Sequence, residues 1–157
     1  MKCYAELTCN DVDAISDQIY QYIANNTDIL NTTKFGWHFI DCRALLNHAP
    51  SLTNFFKVKK LLPRHAAITI VTESDHLPLH VDEPPVVAKI NFPVRNTTGW
   101  VNRWFDHDEV IAELYDLKQP IVFNSQIAHS VEKILETTLP RLVASFTFYN
   151  EPIKWLK

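Results

Sequence analysis

The apolar positions of this chain change period once. Val12, Ile15, Ile19, Tyr20 and Ile23 recur at helical spacing, with Asp11, Asp13, Asp17 and Gln21 on the other faces. Asn10 reads as the N-cap of that helix, and Lys2 to Thr8 before it as a short strand. Two further short helices are predicted, at Arg43–His48 and, behind a Ser51 cap, at Leu52–Leu62, with Pro63 as the stop. Residues 25–34 between the first and second helices are polar and loop-like, and the aromatic stretch from Phe35 to Cys42 is expected to begin the core.

From Ala66 the pattern becomes β. Ala67 to Thr72 is a β-branched run; Pro84 to Val94 is another, with Val86, Ala88, Ile90 and Phe92 on one face and Val87, Lys89 and Asn91 on the other. A lysine and an asparagine facing inward are costly in a plain core but at home in a polar pocket; the solvent side of an edge strand is the competing reading. After the turn Arg95–Gly99, Trp100 to Phe105 alternates, and its two tryptophans with Asn102 and Arg103 are candidates for a substrate mouth, one tryptophan at least being assigned to packing. Asp106 to Glu109 has the composition of a capping box, which would make Val110–Leu117 a helix. Ile121–Phe123, Ala128–Val131 and Leu142–Phe148 add three more strands. Many short strands behind N-terminal helices predict a mainly β, cupin-like jelly roll with the helices packed on one sheet. The domain expectation is a single unit over residues 1–157, with 1–64 as helical support and 65–157 as the jelly-roll core.

A chain of 157 residues buries roughly 70% of its unfolded surface and has room for a pocket. Only two glycines, Gly36 and Gly99, stand against nine prolines, which excludes a Gly-rich phosphate loop. The net charge of −3 carries no general footprint for nucleic acid, and the one basic cluster, Lys57, Lys59, Lys60 and Arg64, reads as a solvated face. Cys3, Cys9 and Cys42 form no C-x-x-C pair and read as free thiols in a reducing compartment. Met1 to Thr8 does not resemble a secretory signal, and no stretch approaches a membrane span. The expectation is a cytoplasmic protein with neither nucleic acid nor membrane as partner.

The candidate chemistry lies in Leu77-Pro78-Leu79-His80-Val81-Asp82. In an extended strand His80 and Asp82 project from one side, near enough to share a metal ion. His129, at the end of the run from Ile121, is a third candidate, and two histidines with one carboxylate make the facial triad of non-haem Fe(II) oxygenases, which leaves coordination positions open. Arg141, twelve residues on, heads an alternating strand and can fork onto a carboxylate. The H-x-D spacing alone is weak in a chain this rich in histidine and acid. A rival, His107 with Glu109, loses its shared face if a helix starts there. His76 and His80 are spaced like helical zinc ligands, but Pro78 resists the helix. His38, His48 and His65 read as structural or surface residues.

Three blocks, LPLHVDEPPVVAKINFPVRNTTGW, PIVFNSQIAHSVEKI and PRLVASFTF, cover roughly the C-terminal half. Together they resemble the 2-oxoglutarate/Fe(II)-dependent oxygenase superfamily, in particular its aspartyl/asparaginyl β-hydroxylase and prolyl-hydroxylase-like branches. The resemblance implies a double-stranded β-helix, Fe(II) held by His80, Asp82 and His129, and 2-oxoglutarate anchored by Arg141, with O2 as the other co-substrate. It implies a strand, not a helix, before Ile121, and co-substrate contacts from the strand after the H-x-D motif, which makes Lys89 and Asn91 further candidates. Many members place a serine two residues after the arginine; here that position is Val143, and Ser145 is the nearest serine. The implied activity is hydroxylation of a C–H bond, favouring a protein or peptide side chain, with release of succinate and CO2. Two other readings are a cupin-type metal enzyme that needs no 2-oxo acid, and a non-catalytic jelly-roll binding or structural module.

Overall fold

The alternating segments pair into two antiparallel sheets. A computed structural model describes residues 1–31, 36–72, 76–136 and 139–157. Its elements in chain order are β1 (Tyr4–Glu6), α1 (Val12–Asn26), β2 (Gly36–Ile40), α2 (Cys42–His48), α3 (Pro50–Val58), β3 (Pro63–Val71), β4 (Leu77–His80), β5 (Ala88–Arg95), β6 (Trp100–Asp106), β7 (Glu109–Tyr115), β8 (Ile121–Asn124), β9 (Ala128–Lys133) and β10 (Arg141–Phe148). The larger sheet has the order β1-β8-β5-β10-β3-β2 and the smaller β4-β9-β6-β7. From β3 onward the chain crosses between the sheets at almost every connection, which is the winding of a double-stranded β-helix.

Period two decides what each face of the larger sheet meets. Ile68 and Ile70 of β3, Ile90 and Phe92 of β5, and Ala144 and Phe146 of β10 point to the helices, where they join Ile15, Ile19 and Ile23 of α1 and Leu52, Phe55 and Phe56 of α3 in one buried cluster. The aromatic rings there meet edge to face, Phe55 on Phe92 at 5.0 Å and Phe56 on Phe146 at 5.1 Å. Burying each such ring contributes about 1.5–3 kcal/mol, so this layer carries much of the stability. The other face of the same strands turns to the smaller sheet and lines a cavity.

The helices begin and end differently from the sequence reading. Asp11, not Asn10, precedes α1, and its side chain makes no capping bond. In α2 Asp41 accepts from the backbone amide of Ala44. Pro50 starts α3 two residues before Leu52, because proline at the first helical position forgoes only an amide hydrogen that has no partner there, and the helix stops at Val58. Pro63 opens β3 instead of closing a helix. The first 64 residues are thus not wholly helical, since β1 and β2 fall within them and form the two edges of the larger sheet.

Two expectations about aromatic and acidic segments are corrected. Phe35 lies outside the described residues, but the strand that follows is an edge: Trp37 is 44% exposed and Phe39 81%. β2 is the outermost strand of the larger sheet, so its far edge pairs with no other strand among the described residues. Residues 109–115 are a strand, not a helix. Asp106 pairs with Glu109 across a two-residue hairpin whose His107 sits at φ 54°, so the acidic cluster is turn chemistry.

Candidate metal centre

His80 and His129 are brought face to face by strand register. β4 pairs with β9 so that Leu77 opposes Val131 and His80 opposes His129, four residues of one strand against three of the other. The extra residue lies at Pro78–Leu79, a bulge on an edge strand, where proline deprives no neighbour of a hydrogen bond. It turns both Leu77 and His80 inward, which strict alternation would forbid. The two imidazoles sit 4.3 Å apart by centroid, and Trp37 and His80 meet in a T-shaped contact at 5.7 Å.

Asp82 arrives by a different route. β4 ends at His80, so the carboxylate is not on the same strand as the histidine. Backbone contacts fix it instead: the Asp82 amide donates to the Ser125 carbonyl at 2.9 Å, and Gln126 Nε2 donates to the carbonyls of Asp82 at 2.9 Å and Val86 at 2.7 Å. Ser125, fully buried, donates its hydroxyl to Val86. The turn between β8 and β9 thereby clamps the segment after β4, and one ligand atom from each of His80, Asp82 and His129 falls within 4.8 Å of the others.

The tautomers suit a metal. His80 Nδ1 lies 2.7 Å from the Pro78 carbonyl and His129 Nδ1 2.8 Å from the Ile127 carbonyl. A carbonyl only accepts, so Nδ1 carries the hydrogen on both rings and each Nε2 offers its lone pair. Burial pulls the His129 pKa below the ordinary imidazole value against the opposing hydrogen bond to Ile127, which favours the neutral, ligating form. His80 Nε2 and Asp82 Oδ1 are 3.8 Å apart, too far for a hydrogen bond. The donor set of two imidazoles and one carboxylate fits a divalent transition metal such as iron.

The cavity beside these ligands is small, about 40 Å³, and opens to solvent. Arg141, Lys89, Asn91 and Ser145 all line it, as do Asn102 and Trp37. Arg141 is 2% exposed, and burial lowers its pKa to about 10, so it remains a cation at neutral pH. Its Nη2 donates to Asn102 Oδ1 at 3.2 Å; among the described residues no carboxylate pairs with it, and Arg141 Nε and Asn102 Nδ2 are buried without partners. Ser145 donates to Asn91 Oδ1. Lys89 Nζ lies 2.8 Å from Asp82 Oδ2.

Other sequence candidates fall elsewhere. Arg103 points away from the cavity and bridges Glu113 and Glu132 on the outer face of the smaller sheet. His107 stands at an exposed hairpin tip beside Asp106, outside the ligand cluster. Trp100 is fully buried and serves packing. Asn102, proposed for a mouth, lines the cavity from within and accepts from Arg141, and Trp37, expected in the core, sits against His80. Their sequence signal was only a polar residue at an inward position of β6 and an aromatic at alternate positions of β2. The three cysteines are free. Among the described residues no helix is long and apolar enough to cross a membrane.

No protein-family model and no curated protein sequence matches the chain. Solved structures do match in fold. IDO from Bacillus thuringiensis superposes with a TM-score of 0.59 at 13% identity, covering 96% of this chain and 91% of that one. A Pseudomonas putida prolyl-4-hydroxylase gives 0.56 at 12%, covering 96% and 94%. A prolyl hydroxylase from Trichoplax adhaerens, in complex with a hypoxia inducible factor oxygen degradation domain peptide fragment, gives 0.56 at 13%, covering 99% and 86%. The β-helix architecture is therefore one on which hydroxylases are built.

Proposed function

We propose that the protein is a 2-oxoglutarate- and Fe(II)-dependent dioxygenase that hydroxylates a C–H bond and releases succinate and CO2. The observation that carries this reading is the presence, in one cavity, of a two-histidine, one-carboxylate cluster and a buried guanidinium with no carboxylate among the described residues to neutralise it. A buried cation is costly without an anion. A dicarboxylate that reaches the cluster with one end and Arg141 with the other supplies it. In the cupin-type alternative Arg141 is structural or binds the substrate directly, and a purely structural module gives no reason for the ligand cluster and the buried cation to share a cavity.

Within this reading His80, Asp82 and His129 hold the metal through Nε2, a carboxylate oxygen and Nε2. Arg141 and Asn102 offer donors to the far carboxylate of 2-oxoglutarate. Asn91 and Ser145 close that wall of the cavity while satisfying each other. Bound iron, with 2-oxoglutarate and dioxygen, supplies the oxidising power; the chain's own task is to position the reactants and keep water out. Trp37, exposed and lining the cavity, marks the mouth at which a substrate enters. A protein or peptide side chain is the favoured substrate class, supported by the peptide-bound hydroxylase that shares this fold.

Anaerobic Fe(II) titration followed by succinate detection tests the proposal. The expected result is one iron per chain and slow, oxygen-dependent succinate formation without a primary substrate. His80→Ala, Asp82→Ala and His129→Ala should each lose stoichiometric iron and remain folded, whereas His107→Ala should retain it. Iron bound without any succinate would favour the cupin-type enzyme, and no iron bound would favour the non-catalytic module.

A further inference from the structure

The polar side chains on the inner face of the larger sheet are already matched to different partners. Asn91 and Ser145 bond each other, Arg141 bonds Asn102, and Lys89 reaches across to Asp82. Lys89 Nζ is 2.8 Å from Asp82 Oδ2, while Asp82 Oδ1 is the oxygen that faces His80 Nε2, at 3.8 Å. Both side chains are largely enclosed, at 18% and 13% exposure, so the pair is shielded from the screening that weakens surface ion pairs. We infer that Lys89 is a positioning residue: it occupies one oxygen of Asp82 so that the carboxylate offers only the other to the metal.

This rests on the metal-centre reading above and sharpens it. A carboxylate on a divalent ion can bind through one oxygen or both. Two imidazoles and a single oxygen leave a whole face of an octahedral ion open, which a chelating 2-oxo acid and dioxygen together require; a two-oxygen carboxylate closes part of that face. An ion pair with a lysine carried on a sheet strand opposes that collapse, as outer partners of metal ligands generally set ligand orientation. The charges agree. Lys89 offsets Asp82, which leaves Arg141 as the cation available to the distal carboxylate. Lys89 thus leaves the set of co-substrate anchors and joins the machinery that shapes the metal's open face.

Water-proton relaxation of the Mn(II)-loaded protein counts exchangeable waters on the ion and needs no turnover. The wild type should hold about three, as expected for a facial triad. Lys89→Met should hold about two, and Lys89→Arg, which keeps the charged donor, should restore the third. Lys89→Gln, with a shorter neutral arm, is prepared alongside in case the apolar variant misfolds, and the same loss is expected of it. Arg141→Lys should keep all the waters and lose only 2-oxoglutarate affinity measured by calorimetry. Unchanged water counts in both Lys89→Met and Lys89→Gln overturn the inference; a simultaneous collapse in 2-oxoglutarate affinity would make Lys89 a co-substrate anchor, and unchanged affinity would make the pair a passive ion pair. Absence of Mn(II) binding to the wild type would take down the metal-centre reading itself, and Lys89's role with it, whereas the lysine variants test Lys89's role alone.

Discussion

The two faces of the larger sheet are made from the same strands and have opposite chemistry. Towards the helices β3, β5 and β10 present Ile68, Ile70, Ile90, Phe92, Ala144 and Phe146, all nearly inaccessible to solvent. One residue along, the same strands present Thr69, Lys89, Asn91, Arg141 and Ser145 to the cavity. The first face has no polar group to satisfy and gains from every contact. The second holds a lysine and a fully buried arginine whose desolvation works against folding. The helix layer over one face offsets the cost of keeping charged groups ready on the other. Stability and chemistry are therefore separable by a single residue of register.

That separation can be broken from either side. The largest effect is expected at Phe92, which contacts Phe55, Phe56 and Phe146. Phe92→Ala should cost about 3–5 kcal/mol in chemical denaturation while, at temperatures where the variant is folded, leaving metal stoichiometry unchanged. If it abolishes metal binding in the folded protein, the two faces are coupled. Next comes Arg141→Lys on the cavity face. It preserves the charge but not the planar fork, and losing one charge-assisted hydrogen bond, about 1.5–3 kcal/mol, should raise the apparent dissociation constant for 2-oxoglutarate about 10- to 150-fold. Iron affinity should be untouched in the same calorimetric series. The smallest is Asp41→Ala, which removes the cap of α2 and should lower stability by about 1 kcal/mol with no change in metal or 2-oxoglutarate binding.

The periodicity of the chain made most of the secondary structure legible. Ile15, Ile19 and Ile23 showed the buried stripe of α1, and the alternation of Ala88, Ile90 and Phe92 against Lys89 and Asn91 showed which side of β5 would be wet. It misled where a local motif had two uses. Asp106 to Glu109 suits a helix start and a hairpin turn equally, and only the pairing of β7 with β6 chose the hairpin. The aromatic run around Trp37 and Phe39 reads as core by composition, yet the strand's place at the sheet edge exposes both.

The candidate ligands stood out as residue types: His80 and Asp82 two apart, His129 after an apolar run and Arg141 at the head of a strand. Sequence by itself supplied those residue types, the double period of the strands and the absence of a Gly-rich phosphate loop, because these depend on composition and on neighbours along the chain. Tertiary structure alone decided that His80 opposes His129 through a bulge, that Asp82 is held by the Ser125–Gln126 turn and not by its own strand, and that Lys89 meets Asp82 while Arg141 meets Asn102. These contacts join residues far apart in the chain, and strand register, loop clamping and the closure of one sheet over the other are properties of the packed molecule that no local pattern encodes.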